Sequence, residues 1–189
     1  IKLSSSNGFL ASLGWTTPTI ENCLIAMNGR HGLLLSGDNF TRPTIKNTTV
    51  VDHPGSGIEI DIFGSDATRI SNSNITNNLR GINVIAGMIQ QLTHNNVWGN
   101  VLADYDGEIG DATGIDGNIS SDPIYTDADG PDDDPATYSD NDYSLGFGSL
   151  CIDGGNPDTA TEFGATDLAG HPRVVGERID IGAYEYGGL

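Results

Sequence analysis

Two carboxylates in one short segment are the strongest candidates for chemistry in this sequence. Glu59 and Asp61 lie in SGIEIDIFG, where apolar and polar residues alternate, so both side chains project from one strand face about 7 Å apart. Such a pair can share the general acid and general base work of glycosidic-bond cleavage. Arg80, one repeat later, could instead neutralise a uronate and assist β-elimination. The alternative is a set of outward polar residues forming a surface ion pair worth about 0–1 kcal/mol.

A second candidate site is the acidic segment DADGPDDDPATYSDND. Alternating Asp residues around a Gly-Pro turn are typical of short loops that wrap oxygen ligands around Ca²⁺. If Asp127 is the first position, the twelfth is Tyr138 rather than the bidentate Glu of an EF-hand loop, and Asp140 could take its place. The predicted ligands of this structural calcium ion are Asp127, Asp129, Asp132, Asp134 and Asp140. The alternative is an acidic, disordered loop in which like charges repel.

Two other pairs of reactive residues are better explained by structure than by chemistry. Asp52 and His53 are adjacent in a turn built on Pro54, and adjacent turn residues usually point apart, which disfavours a catalytic dyad. Cys23 and Cys151 both lie in apolar stretches, so we expect buried free thiols rather than a disulfide.

The charge distribution restricts the classes of partner. The chain of 189 residues has a formal net charge of −18. Residues 1–100 carry six acids and six bases, whereas residues 101–189 carry twenty acids against two arginines. This surface repels phosphate backbones, so we expect no nucleic-acid partner, and it could attract cations or serve only as a solvated face. No apolar run reaches the ~20 residues of a membrane helix, so we expect no membrane insertion.

A repeat of about 25 residues places these candidates on a regular scaffold. PTIEN at 18–22 returns as PTIKN at 43–47 and as RISN at 69–72. Each unit has an apolar residue, an Asn two positions on, and a Gly before an alternating strand. The apolar column is Ile20, Ile45, Ile70 and Leu92; the Asn column is Asn22, Asn47 and Asn72, with His94 in the same slot; the Gly column is Gly8, Gly32, Gly57 and Gly81.

Short strands rich in Val, Ile and Thr, broken by Gly and Asn turns, predict that each unit is one coil of strands. A single coil cannot enclose its apolar side chains, but coils stacked at the ~4.8 Å strand spacing form a continuous core. We therefore predict an all-β parallel β-helix, a solenoid of about 22–25 residues per coil. The Asn column should form a ladder of side-chain amide hydrogen bonds, and the Gly column should supply backbone angles that other residues resist.

The coils resemble the right-handed parallel β-helix of the pectin-lyase-like superfamily. In the C-terminal part, NISSDPIYTDADGPDDD, DYSLGFGSLCIDGG and TDLAGHPRVVGERIDIGAYEY resemble the terminal module of secreted bacterial β-helix repeat proteins, with its DLxGxPR…DIGAYE pattern. The sequence departs from the usual pattern at Leu150, Gly154 and His171. The resemblance implies the fold and export from the cell more firmly than it implies an activity.

These observations predict two regions. Residues 1–107 form β-helix coils, with further coils expected upstream, and residues 108–189 form an acidic loop region and a C-terminal module that closes the stack. We expect a secreted or cell-surface module, part of a larger protein, with a structural, adhesive or glycan-binding role. Its partners would be a polysaccharide, a cell-surface glycan or further copies of itself. The alternative is a polysaccharide lyase or glycoside hydrolase; Trp15, Trp98 and Tyr105 are the candidate aromatic platforms for sugars outside the terminal module.

Overall fold

The computed structural model describes residues 2–3, 9–13, 17–37, 42–63, 67–134, 137, 139–160, 162 and 164–187. Gly8, Trp15 and Tyr138 lie outside the described residues. The strands in chain order are β1 (Lys2–Leu3), β2 (Phe9–Leu13), β3 (Thr19–Glu21), β4 (Leu24–Ala26), β5 (Leu33–Gly37), β6 (Thr44–Lys46), β7 (Thr49–Val51), β8 (Ser56–Ile62), β9 (Ala67–Ser71), β10 (Asn74–Thr76), β11 (Arg80–Ala86), β12 (Met88–Thr93), β13 (Asn96–Trp98), β14 (Ala103–Gly107), β15 (Tyr125–Asp127) and β16 (Asp142–Leu145). The described part of the chain contains no α-helix, so it has none with the length and apolarity of a membrane span.

Three parallel sheets form the walls of a solenoid, and each coil contributes one strand to each sheet. Sheet one contains β1, β4, β7, β10 and β13; sheet two contains β2, β5, β8, β11 and β14; sheet three contains β3, β6, β9 and β12. Every pairing within these sheets is parallel. The predicted all-β parallel solenoid is therefore confirmed.

The apolar column predicted from the repeat is confirmed residue by residue. Ile45 pairs with Ile20 on one side and with Ile70 on the other, and Ile70 pairs with Leu92. The isoleucines are at most 9% exposed and belong to one continuous core inside the coils. Like residues lie over like residues because a parallel register aligns each coil with the next.

The predicted amide ladder of the Asn column is wrong. Asn22, Asn47 and Asn72 have φ angles of 49°, 51° and 49°, and His94 follows the pattern with 53°. Asn is selected here because its short polar side chain tolerates this left-handed corner better than other residues do. The stacking in this column comes from the backbone: the Asn22 N–H donates to the Lys46 carbonyl and the Asn47 N–H to the Ser71 carbonyl. The Oδ1 atoms of Asn22 and Asn47 have no hydrogen-bond partner among the described residues.

Side-chain ladders occur at two other corners. In the first, the backbone N–H of each residue donates to the side chain of its counterpart in the next coil, at 2.9–3.1 Å; the series is Asn28, His53, Asn78 and Asn100. In the second, the same bond recurs at 3.0–3.3 Å through Thr48, Ser73, Asn95 and Asn118. These ladders satisfy corner amides that the sheets leave unpaired.

The Gly column is required by space rather than by backbone angle. Gly32, Gly57 and Gly81 do not have positive φ angles. A Cβ atom on Gly32 would lie 2.5 Å from the carbonyl oxygen of Gly57 in the next coil, and a Cβ on Gly57 would lie 2.7 Å from Ile75 Cγ2. The coil therefore narrows at these positions until no side chain fits between two stacked backbones.

Residues 108–121 close the end of the stack, as predicted for the C-terminal segment. Ile119 forms a parallel bridge with Asn96, and the Val97 N–H donates to the Ile119 carbonyl. The His94 N–H donates to the Asp116 carbonyl in the same way. This segment therefore covers the open edge of the last complete coil.

The remainder of the C-terminal segment covers the side of the solenoid, which the sequence did not predict. β15 and β16 pair in an antiparallel manner, and Tyr143 packs with Leu24, Ala26 and Val51 on the outer face of sheet one. These four residues are at most 3% exposed. Sheet one is thus buried on both faces, and every residue of β4, β7 and β10 is buried.

The two cysteines are free and buried, which confirms the prediction. Burial raises the pKa of the Cys151 thiol to about 12. A thiol with so high a pKa carries little thiolate at neutral pH, so Cys151 is a packing residue of the C-terminal segment.

We predict that Gly32→Ala destabilises the protein by roughly 1–3 kcal/mol, because the new methyl group must displace backbone of the adjacent coil. Gly110→Ala is the matched control, since a Cβ there meets nothing within 4 Å; we expect a change within about 0.5 kcal/mol. Urea denaturation of both variants measures the difference, and equal stabilities would contradict the spatial role of the column.

We predict that His53 makes stability sensitive to acid. Its Nδ1 accepts the Asn28 N–H and its Nε2–H donates to the Ile25 carbonyl, while burial lowers the pKa of His53 to about 4. Because this folded pKa lies below the unfolded value of about 6.5, the stabilisation is complete above pH 6.5 and is lost as the pH falls towards 4. The expected loss in the free energy of unfolding is on the order of 3 kcal/mol.

His53→Asn provides the test, because Asn78 and Asn100 occupy the same slot in neighbouring coils and make the equivalent bonds. Denaturation at pH 7 and pH 4 should show a smaller acid loss for the variant than for the parent protein. The same acid loss in both proteins would exclude His53 as its source.

Candidate functional site

The outer face of sheet two carries the predicted catalytic residues. Glu59 on β8 pairs with Leu34 on β5 and with Asn83 on β11, and Asn83 pairs with Asp106 on β14. This row crosses successive coils; Leu34 is apolar, and so is Leu10 on β2, with which it pairs. Asp61 lies on the same face, in register with Ser36. Sheet two therefore does place Glu59 and Asp61 on one open, polar surface.

Glu59 is held in place by its neighbours. Its Oε2 accepts a hydrogen bond from the Ser56 hydroxyl at 3.0 Å and from the Asn83 amide at 3.3 Å, and lies 3.3 Å from His31 Nδ1. The side chain is only 12% exposed. Its own coil and the next one therefore fix one carboxylate oxygen of Glu59, and the orientation of this group is set before any ligand arrives.

Arg80 forms its ion pair with Asp106, one coil further along. The Arg80 guanidinium donates through Nε to Asp106 Oδ2, and this bond holds the pKa of Asp106 below its ordinary value. A guanidinium whose charge is balanced in this way offers less positive potential to a uronate than a free one does. The structure thus brings Glu59, Asp61 and Arg80 to one face, where Arg80 forms its ion pair with a fourth residue, Asp106.

His31 is a member of this cluster that the sequence prediction did not include. It is 6% exposed, its Nδ1 accepts the Ser56 N–H at 3.0 Å, and its Nε2 has no hydrogen-bond partner among the described residues. Burial lowers the pKa of His31, while the nearby Glu59 opposes that shift. The sequence signal was its position just before Gly32, which matches Ser56 before Gly57 and Arg80 before Gly81.

In the acidic segment, residues 128–133 form turns directly after β15. Partial desolvation, together with the nearby carboxylates of Asp129 and Asp133, raises the pKa of Asp127. The Asp134 N–H donates to Asp132 Oδ1, and a Cβ on Gly130 would lie 3.0 Å from the Asp140 side chain. Within the described ranges, no three His, Cys, Asp or Glu side chains are grouped closely enough to hold a metal ion. The turn is therefore not a preformed cage, and calcium binding stays a prediction.

Asp52 and His53 point apart, as expected of adjacent turn residues. Asp52 accepts a hydrogen bond from the Tyr143 hydroxyl at 2.6 Å, on the side of the C-terminal segment. His53 is 2% exposed and belongs to a corner ladder. Both residues have structural partners, so they do not form a catalytic dyad.

The C-terminal motif builds a buried network of charges. Arg173 is fully buried; its Nη2 donates to the carbonyls of Asp180 and Gly182, and its Nη1 lies 3.3 Å from Glu185 Oε1. Burial raises the pKa of Asp180 to about 6 and that of Glu185 to about 8, although Arg173 opposes both shifts. Asp167 accepts the backbone N–H groups of His171 and Glu185. The DLAGHPR and DIGAYE segments of this chain thus form one unit, because they contact each other.

The Asn corners anchor this module to the coils. Asn22 donates to the Thr166 carbonyl, Asn47 donates to Glu162 Oε2, and Asn72 accepts the Asn156 N–H. Lys46 adds ion pairs with Glu21 at 2.7 Å and with Glu162 at 3.3 Å. The repeat residues that were predicted to stack on one another instead bind the C-terminal segment.

Comparison with known families agrees with this architecture. The family model described as "Right handed beta helix region" matches residues 3–107, which end at the last strand of sheet two. Neither the search of curated proteins nor the search of solved structures found a match. The matched residues make up more than half of the chain and coincide with its parallel coils. This chain belongs to the right-handed β-helix family.

Proposed function

We propose that the outer face of sheet two binds a neutral, hydroxyl-rich glycan without cleaving it, as a module of a secreted or cell-surface protein. The observation that carries this proposal is the fixed orientation of Glu59, whose Oε2 accepts hydrogen bonds from Ser56 and Asn83. A carboxylate held by two coils is a preorganised acceptor for sugar hydroxyl groups, so binding costs little side-chain entropy.

The charge of the face favours a neutral glycan over a polyuronide. Glu59 and Asp61 are both acidic, and the guanidinium of Arg80 is balanced by Asp106. The formal net charge of −18 adds long-range repulsion of polyanions. The rows of side chains recur at the ~4.8 Å spacing of strands, so an extended chain of sugars lying across the coils could contact several of them.

A polysaccharide-cleaving enzyme is the second candidate, since Glu59 and Asp61 share one strand face. Against this candidate, the guanidinium of Arg80 is balanced by Asp106, so it offers a uronate less positive potential than a free guanidinium would. A purely structural role, with self-association of the rods, follows if the face binds no glycan.

We predict that a panel of polysaccharides contains a neutral glycan that binds this chain and is not shortened by it. Glu59→Gln and Asp61→Asn should each weaken binding by about fivefold or more, because they remove charged acceptors. Glu177→Gln, an exposed change outside the coils, is the matched control and should leave the affinity within about twofold.

Isothermal titration measures the affinity, and mass spectrometry of each reaction mixture detects released oligosaccharides. Products that disappear in the Glu59→Gln, Asp61→Asn double variant would establish the enzyme instead. Failure of every glycan to bind the folded protein would leave only the structural role.

We also propose that Ca²⁺ closes the acidic turn around Asp127, Asp129, Asp132, Asp134 and Asp140. Desolvation, together with the neighbouring carboxylates of Asp129 and Asp133, raises the pKa of Asp127, and a bound cation would offset the repulsion between these carboxylates. We predict that saturating Ca²⁺ raises Tm and that a chelator reverses the change. At a Ca²⁺ concentration of 100 times Kd, the free energy of unfolding should rise by about 2.7 kcal/mol.

Asp129→Asn should reduce the calcium effect, whereas Asp158→Asn, an exposed change outside the turn, should not. Differential scanning calorimetry in Ca²⁺, Mg²⁺ and chelator measures Tm for the parent protein and both variants. An unchanged Tm of the parent protein in all three solutions would contradict the proposed calcium site.

A further inference from the structure

Sheet three ends at the strand β12, which has a free edge. β12 pairs with β9 on one side, and within the part of the chain that the structure describes no strand pairs with its other side. Among the same described residues, the segment 108–121 makes one hydrogen bond to β12, from the Asn118 amide to the Leu92 carbonyl at 2.7 Å. The backbone groups of Met88–Gln91 that face away from β9 therefore have no strand to pair with.

The apolar column of the coils is uncovered at the same place. Ile45 and Ile70 are fully buried, whereas Leu92, the next member of the column, is only partly buried. Ile89 and Ile109 pack against the same core and are also only partly buried. An apolar side chain from an added strand would cover Leu92 in the way that Leu92 covers Ile70.

A groove lies between β12 and the start of the segment 108–121. It has a volume of about 360 Å³, and its lining includes Met88, Ile89, Leu92, Glu108 and Ile109. Met88 is 57% exposed. This volume lies at the lower end of the range for binding sites, so the groove can hold side chains of an added strand beside the free edge of β12.

The last strand of sheet two differs from β12 in its charge. β14 carries Asp104 and Asp106, whereas β12, with the sequence MIQQLT, carries no charged residue. Charged side chains on an edge strand prevent it from pairing with other chains. The edge of β12 lacks this protection, so it is the edge at this end of the stack that is suited to pairing.

We propose that β12 binds an extended peptide segment of a partner protein, which adds a strand to sheet three and places apolar side chains in the groove. The partner segment would alternate apolar residues with Lys or Arg, because Glu108 lines the groove and residues 101–189 contain twenty acids against two arginines. A second copy of this chain is a poorer occupant, because two molecules with a formal net charge of −18 repel each other. The site lies on sheet three and does not depend on glycan binding by sheet two.

The test titrates the full chain with a synthetic seven-residue peptide with blocked ends, in which Val or Ile alternates with Lys or Thr. ¹H–¹⁵N NMR should show shifts confined to the amides of β12 and residues 108–110, with a Kd at or below about 1 mM. Hydrogen exchange of the β12 amides should slow in the complex. The same peptide with alternate amides N-methylated is the matched control. It keeps every side chain but loses backbone donors, so it should bind at least about tenfold more weakly.

A pair of exposed apolar residues supplies the variants. Met88→Ser removes an apolar side chain from the groove and should weaken peptide binding at least about threefold. Val101→Ser is the matched control, because Val101 is also exposed but does not line the groove, and it should leave the affinity within about twofold. Unchanged circular dichroism spectra confirm that both variants are folded.

Four results would overturn the proposal. Equal binding of the N-methylated peptide would exclude strand addition, and shifts spread over the turn at Asp127–Asp134 would mean unspecific charge attraction. No shifts at a peptide concentration of about 10 mM would exclude the site. Self-association of the chain in analytical ultracentrifugation, with slowed exchange of the β12 amides at high protein concentration, would assign the edge to a second copy.

Discussion

The parallel register between successive coils is the constraint on which the rest of this structure depends. Each backbone strand must lie about 4.8 Å from the same strand of the next coil, so every position in the repeat has its own counterpart as a neighbour. Ile20, Ile45 and Ile70 can then form one dry column, and corner amides can find acceptors one coil away. The same closeness leaves no room for a Cβ atom at Gly32 or Gly57. One requirement thus selects apolar, polar and glycine positions together.

The C-terminal segment covers one sheet of the solenoid and leaves another uncovered. It closes the last coil with Ile119 and then covers sheet one, where Tyr143 packs on Leu24 and Val51. Its own rigidity comes from the buried pair of Arg173 and Glu185, together with the backbone groups around them. Covering sheet one removes apolar side chains such as Leu24 and Val51 from water, and the outer face of sheet two, with Glu59 and Asp61, remains a polar face of the coils.

The functional proposals follow from this asymmetry. The open face presents Glu59 in an orientation fixed by two coils, whereas Arg80 is engaged by Asp106. Binding needs a preorganised acceptor, but cleavage needs groups that can also exchange protons with a substrate.

The sequence by itself determined the class of fold. A 25-residue period in apolar, Asn and Gly positions indicates that equivalent residues of successive coils are neighbours. It also located Glu59 and Asp61 on one strand face, since alternation along a strand is a local property. Tertiary structure alone decided the partners of these residues. The Asn corners bind residues 156–166 rather than one another, and Arg80 pairs with Asp106 rather than with Glu59. The physical reason is that a repeat specifies the spacing between its own coils, whereas the path of a non-repeating segment across them depends on contacts between residues far apart in the chain.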